Sequence, residues 1–246
     1  MGSFTDKTFS LEMPPDFWPK KTILKNYLVL FTKFRVFRWA LNSLIVAAAV
    51  TGISVSISCL AGYAFAKKQF TGKNIFFWLL MSTLMIPFYS IIIPLFITIR
   101  NFGLFNTYPG IFLPMTCNAA YIFLARQYIS TLPSELLDAA KIDGASELGV
   151  FAYVILPLAK PLLAALAIFA FVHGWKMFMW PLIITSSTAM RTLPVAITIL
   201  VSHPEGYQEF GVAMAGATIV ALPTYIVFAL CQRYFVKGIT MGGLKG

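Results

Sequence analysis

The chain has 246 residues with a formal charge of +10. It is 59% hydrophobic and only 11% charged, against roughly 25% charged residues in soluble domains. With a mean hydropathy of +0.79, it falls outside the ordinary soluble class and inside the polytopic membrane class. The apolar runs are continuous, not alternating in short segments, which excludes a β-barrel. An all-α membrane fold is expected, because a helix satisfies its own backbone hydrogen bonds in lipid. The excess of basic residues then reads as span-flanking charge facing anionic lipid, with no nucleic-acid partner. Cys59, Cys117 and Cys231 are scattered in apolar runs, so they are read as packing residues and not as a zinc or disulfide set.

Residues 1–39 form a basic, aromatic segment with Lys7, Lys20, Lys21, Lys25, Lys33, Arg35 and Arg38. Met1 to Asp6 lacks the apolar core of a signal peptide, and Asp6 breaks the myristoylation pattern. Pro14, Pro15 and Pro19 interrupt any early helix. Ile23, Leu24, Tyr27, Leu28 and Phe31 then recur at helical spacing, which fits a short amphipathic helix in the headgroup layer.

A permease-like region, 40–235, follows with five expected spans: 40–66, 75–99, 108–125, 162–184 and 210–231. Each approaches the roughly 20 residues that cross a hydrocarbon core of about 30 Å. Pro87, Pro94, Pro114 and Pro223 lie inside them, as cavity kinks or as packing bends. Lys67, Lys68, Lys73, Lys141, Lys160, Arg233, Lys237 and Lys245 lie on one side, against Arg100 and Arg191 on the other. The positive-inside rule makes the first side cytoplasmic. That places the 131–160 loop and a C-terminal tail, 236–246, inside. Five spans also leave the basic N-terminal segment outside, against the same rule.

The 131–160 loop is the one long polar excursion. Four of the nine acidic residues sit there: Glu135, Asp138, Asp143 and Glu147. Ser134 is placed to cap a helix whose first turn carries Glu135 and Asp138. Ala139 and Ala140 are small enough for a partner surface to approach. Gly144 provides a turn that side chains resist, and Ser146 caps a second helix through Phe151, Val154 and Ile155. Leu156, Pro157 and Pro161 are expected to stop that helix at the membrane, giving an elbow parallel to the bilayer.

Asp138, Ala139, Ala140, Gly144 and the spaced Leu156-Pro157 resemble the coupling loop of ABC importer permeases, with aspartate in place of the usual glutamate at 138. Asn42-Ser43, Asn106-Thr107-Tyr108, Trp180-Pro181, Arg191-Thr192-Leu193-Pro194 and the tail from Arg233 to Thr240 are similar to the carbohydrate-uptake branch, in particular its maltose-type second permease, from about Asn26 onward. The resemblance implies the type I importer permease fold. It also implies a second permease subunit, two ATPase subunits that bind ATP and Mg, and an external solute-binding protein, in a bacterial cytoplasmic (inner) membrane. Glu135, Asp138, Ala139, Ala140, Asp143, Gly144 and Ala145 would then be the surface on which an ATPase subunit pushes. In relatives, the stretch from Pro14-Pro15 to Asn26-Tyr27 follows an additional first span, so this chain is expected to begin just past that span. A truncated start, a different start and a five-span protein remain alternatives.

No ATP site is expected in this chain, because Gly72-Lys73 lacks the upstream glycine of a P-loop. His173 and His203 are the only histidines, with no triad or metal grouping around them, so catalytic and metal sites are not expected. A membrane enzyme fits poorly, since the spans hold almost no convergent acids, histidines or metal ligands, and a passive channel would not need the elbow.

The fourth span holds His173, Trp175, Lys176 and Trp180. Relatives carry Trp-Asn-Glu there, and this chain has Lys176 and Met177 in the last two places. Lys176 lies about fifteen residues, roughly 22 Å, from the inner end. A charge at that depth is costly and suggests function. His173 shares its face, and Trp175 is placed to offer ring surface to a sugar. Two readings stand: Lys176 lines the pathway and favours an acidic saccharide, or it snorkels outward or pairs with an acid in the partner permease. Glycerol phosphate and neutral sugars are alternative solutes.

Overall fold

A computed structural model of the chain describes residues 2–4, 23–202 and 210–240. Every regular element among them is helical. The prolines and basic residues of 5–22, together with His203 and Lys245, lie outside the described residues. The N-terminal helix α1 (Lys25–Lys33) buries Leu30 and half-buries Tyr27, while Leu24, Leu28 and Phe31 stay exposed as one stripe. This pattern suits a helix with one face on protein and one on lipid. Its neighbour α2 (Val36–Lys67) contains the whole of the expected first span, 40–66.

Two helices are long and apolar enough to cross a membrane: α2 and the Gly211–Leu230 part of α13 (Phe210–Thr240). Three bent helix pairs bring the total to as many as five. The expected second span is not one rod. It divides into α3 (Lys73–Ser82, continued by a 3-10 turn Thr83–Met85) and α4 (Phe88–Asn101), bent by 104°. Pro87 is the cause: it forces Ile86 into the extended region and has no N–H to continue the helix.

The expected third span bends by 49° between α5 (Tyr108–Phe112, with a 3-10 turn Leu113–Met115) and α6 (Ala119–Ser130). Pro114 sits in the tight turn, and the Asn118 side chain caps α6 by accepting from the Ala120 N–H at 2.9 Å. The helix then runs on to Ser130, past the expected end at 125. Between α6 and the next long helix lie α7 (Ser134–Ile142), α8 (Glu147–Val150), a π turn Phe151–Ile155 and the single turn α9 (Leu156–Leu158). The expected fourth span is α10 (Lys160–Lys176) followed, after a break at Met177 and Phe178, by the short α11 (Met179–Ile184).

The apolar α12 (Leu193–Ser202) is additional to the sequence expectation; at ten residues it is too short to cross. Helix α13 reaches Thr240, so the expected tail from 236 begins inside a helix. Cys59 is buried as expected, but Cys117 is exposed.

All three apolar clusters contain residues of α2, which is therefore the spine of the fold. Small residues let its neighbours come close. A Cβ on Gly62 would stand 2.5 Å from the Ala125 Cβ of α6, and one on Gly174 of α10 would stand 2.9 Å from the Ala47 Cα. In lipid, such close contact supplies the packing that holds helices together.

Near the start of α2, motifs that are distant in sequence meet in one polar knot. Asn42 Nδ2 donates to the carbonyls of Ala189 and Arg191, both at 2.8 Å, and Asn42 Oδ1 accepts from the Tyr108 hydroxyl at 2.7 Å. The Leu193 N–H donates to Ser43 Oγ at 2.8 Å, and Asn106 Oδ1 accepts from the N–H groups of Ser186 and Ser187. Asn42 is fully buried, so Asn42→Leu strands a hydroxyl and two carbonyls. A loss of about 3 kcal/mol is expected, the low end of 1–3 for each of three orphaned groups, because partial relaxation offsets the rest. Thermal unfolding in detergent measures it, and an unchanged midpoint would show that the knot contributes nothing.

Candidate functional site: the elbow and the fourth span

The elbow is built from local chemistry. Helix α7 carries Glu135 in its first turn and Lys141 in its last, both favourable to the helix dipole. Ser134 is its first residue, not its cap; the cap position is Pro133, whose side chain bonds nothing. The helix ends in a Schellman turn. The Ala145 N–H donates to the Ala140 carbonyl at 2.9 Å, the Gly144 N–H to the Lys141 carbonyl at 3.0 Å, and Gly144 has φ +84°. Ser146 caps α8 as expected, its Oγ accepting from the Gly149 N–H at 3.1 Å. Leu156-Pro157 does not stop the second helix. The wider π turn Phe151–Ile155 precedes Pro157, the helix continues to Leu158, and the chain turns 81° at Ala159 before α10.

One side of the elbow faces inward. Leu137, Val150 and Ile155 are buried against Cys59, Tyr63, Ala125 and Ile129. Ala140 and Ala145 pack at the edge of that cluster, so of the two adjacent alanines only Ala139 is open. The other side is exposed, with Ile142 at 86%, Tyr153 at 83% and Leu148 at 74% accessible, and with Glu135, Asp138 and Asp143 beside them. Those three carboxylates make no hydrogen bond or ion pair among the described residues. An apolar patch bordered by free acids has the make-up of a docking surface.

The fourth acid faces α2. Glu147 pairs with Lys68, which also lies 5.0 Å above the Tyr63 ring, and it accepts from the Tyr63 hydroxyl at 3.2 Å. Lys141 approaches its other oxygen at 3.6 Å. The hydrogen bond from Lys68 comes first among the causes that hold the Glu147 carboxyl below its ordinary pKa, ahead of an opposing desolvation. Lys67 donates to the Leu132 carbonyl at 2.5 Å and reaches Ser134 Oγ at 3.4 Å. The last turn of α2 thus latches both arms of the elbow. Sequence reasoning used Lys67 and Lys68 only as topology markers and missed this role. The contacts of Lys68 with Glu147 and of Lys67 with Leu132 and Ser134 span 79, 65 and 67 residues of chain, which no local pattern shows.

In the fourth span, the four singled-out residues divide. Trp175 and Trp180 are buried. The Trp175 indole N–H donates to the Val220 carbonyl at 2.8 Å and its ring stacks on Phe171 at 6.2 Å, while the Trp180 N–H donates to the Gly110 carbonyl at 3.0 Å. The ring surface expected of Trp175 for a sugar is taken up by packing in this conformation. His173 and Lys176 lie together on the exposed face of α10, away from the Gly174 contact with α2, and Lys176 has no hydrogen-bond or ion-pair partner among the described residues. No group of three or more His, Cys, Asp or Glu side chains suited to a metal ion occurs among the described residues.

Comparison with known proteins agrees with this geometry. Residues 54–241 match the family described as binding-protein-dependent transport system inner membrane component. The chain is 38% identical over 231 residues to the arabinooligosaccharides transport system permease protein AraQ of Halalkalibacterium halodurans, covering 94% of this chain and 82% of that protein. It is 39% identical over 199 residues to the sn-glycerol-3-phosphate transport system permease protein UgpE of Yersinia pestis, covering 81% and 71%. The fold is similar, with a TM-score of 0.82, to a chain in the crystal structure of a bacterial ABC transporter involved in the import of the acidic polysaccharide alginate. That chain is 21% identical, and the match covers 95% of this chain and 87% of that one. With the latched elbow, the bent helix pairs and a family match over most of its length, the chain belongs to the inner-membrane permease components of binding-protein-dependent ABC import systems.

Proposed function

We propose that the chain is one of two permease subunits of an ATP-driven saccharide importer in the bacterial cytoplasmic membrane. The external solute-binding protein delivers the sugar, and two ATPase subunits, which carry ATP and Mg, act on the elbow 134–158. The exposed face of Ile142, Leu148 and Tyr153, with Asp138 and Asp143 beside it, carries this reading, because the chain itself leaves that face uncovered. Gly144 keeps the two arms at a fixed angle, so a push on one arm moves the other. Alternating access follows when nucleotide and solute favour different arrangements of the helices. The test is disulfide crosslinking from Ile142→Cys to cysteines on the ATPase surface in the intact transporter. A nucleotide-sensitive crosslink is expected; labelling of the same cysteine only from outside the cell would reverse the topology and end the proposal.

A saccharide is favoured as solute by the extent of the AraQ similarity, which covers 94% of this chain. The second reading, glycerol phosphate, rests on the UgpE similarity over 81%. Lys176 bears on both, because an unpaired ammonium beside His173 favours an anion where water is scarce. Lys176→Asn is expected to lower uptake of a uronate-bearing oligosaccharide about tenfold, with a neutral arabinooligosaccharide unaffected. Equal kinetics for the two sugars in the variant and the parent would place Lys176 against lipid or a partner acid.

A further inference from the structure

The loop between α2 and α3 opens into a cleft of about 530 Å³ lined by Gln69, Phe70, Lys73, Asn74, Ile75 and Arg126. Its charge is uncompensated. The Arg126 guanidinium stacks 3.9 Å from the centre of the buried Phe77 ring, which holds its plane, and no acceptor among the described residues takes its N–H groups. Lys73 donates to the Lys68 carbonyl at 2.7 Å, which leaves two of its three protons for a ligand. The only acids between residues 17 and 204 are the four of the elbow. Of these, Glu147 is held by Lys68 and Lys141. The first turn of α3 has neither an acidic residue nor a side-chain cap.

The lining is amphipathic. Phe70 and Ile75 are exposed at the cleft, and Phe76, Trp78 and Leu79 continue the exposed apolar surface along α3. Cations at the base of a helix whose outer face is apolar from Ile75 to Leu79 match a phospholipid in cross-section: an anionic head, then acyl chains. A free anion would use the first part and leave the second uncovered. The cleft lies at the elbow end of α2, the end that faces anionic lipid under the proposed orientation.

We propose that this cleft binds one anionic phospholipid, its phosphodiester on Arg126 and Lys73 and its acyl chains along Phe70, Ile75 and Phe76. A bound lipid there joins the turn after α2, which carries the latch, to the end of α6. The site is independent of the solute and of ATPase docking, so its failure leaves the proposed function untouched.

The test is native mass spectrometry of the intact transporter, titrated separately with phosphatidylglycerol, phosphatidylcholine and inorganic phosphate. A retained phosphatidylglycerol adduct is expected, weakened at least tenfold by Arg126→Gln with Lys73→Gln. Arg126→Lys should keep part of the binding, and Arg100→Gln in the last turn of α4 should keep all of it. Melting midpoints check that the variants remain folded. Unchanged phosphatidylglycerol binding in the double variant would overturn the proposal. So would equal retention of phosphatidylcholine, or displacement of the lipid by millimolar phosphate, which would mark a free-anion site. Should an acidic side chain of a partner subunit occupy the cleft, the assembled transporter would show no adduct, and the proposal would equally fall.

Discussion

Gly62→Val is expected to prevent stable folding. The new Cβ alone meets the Ala125 Cβ at 2.5 Å and the backbone of Ala125 and Arg126 at 2.9 Å. A backbone cannot turn aside as a side-chain tip can, so α2 and α6 must separate along the cluster that also holds the elbow. Overpacking typically costs about 1–3 kcal/mol, and a contact this close falls at or above the upper end. Ala125→Gly should rescue Gly62→Ala only partly, because it removes the 2.5 Å contact and leaves those at 2.9 Å. Gly52 is the control: a Cβ there meets nothing within 4 Å, so Gly52→Ala should be neutral or stabilising by about 0.5–1 kcal/mol. Gel filtration and thermal unfolding in detergent read all of these. A Gly62→Val protein that melts with the parent would mean that the two helices do not approach this closely.

Lys68→Glu is expected to cut uptake about tenfold or more while leaving the amount of folded protein nearly unchanged. Exposed ion pairs contribute little to global stability, so the argument concerns position. Glu147 is bound to Lys68 and Tyr63 at the end of α2, and its loss frees α8 from the helix that any push must reach. In the variant, two carboxylates face each other. The exchange Lys68→Glu with Glu147→Lys should restore part of the uptake, limited by the new repulsion from Lys141. ATPase activity that continues without uptake in the single variant would identify lost transmission. If uptake persists at the parental rate, the latch does not transmit force.

The pH dependence has a definite sign. The Glu147 pKa is depressed in the folded chain, chiefly by the Lys68 hydrogen bond, so the latch is fully present above the ordinary carboxylate pKa. It is lost as pH falls through the lowered folded value. The protection factor of α8 against hydrogen exchange, which divides out the intrinsic pH dependence of amide exchange, should therefore stay flat from neutral pH down to the ordinary carboxylate range and fall only below it.

The sequence was most legible where the chemistry is local. Gly144, Ser146 and the free acids of the elbow stand as their residue types require, because a left-handed turn and a cap are decided within a few residues. The apolar runs were legible for a similar reason, since hydrocarbon thickness fixes their length; two of them stand as single long helices and three as bent pairs. The proline breaks were harder. Pro87 and Pro94 look alike in sequence, yet the first separates two helices by 104° and the second sits inside α4. Which one breaks the rod depends on the neighbours that repair the freed carbonyl.

Least legible were the contacts across the chain. Asn42, Asn106 and Arg191 belong to separate motifs, and only folding shows that they share one hydrogen-bonded knot. Its neighbours in sequence place Trp175 to offer ring surface to a sugar. Its burial follows from α13, which lies about 45 residues further along the chain.

The length of α2 has one more consequence. Its 32 residues extend about 48 Å at 1.5 Å per residue. Even at a tilt of about 20° it exceeds a 30 Å oily layer by roughly 15 Å. Whatever share of that surplus falls at the Lys67 end lifts Lys67 and Lys68, and the elbow they hold, clear of the acyl region on a stiff column.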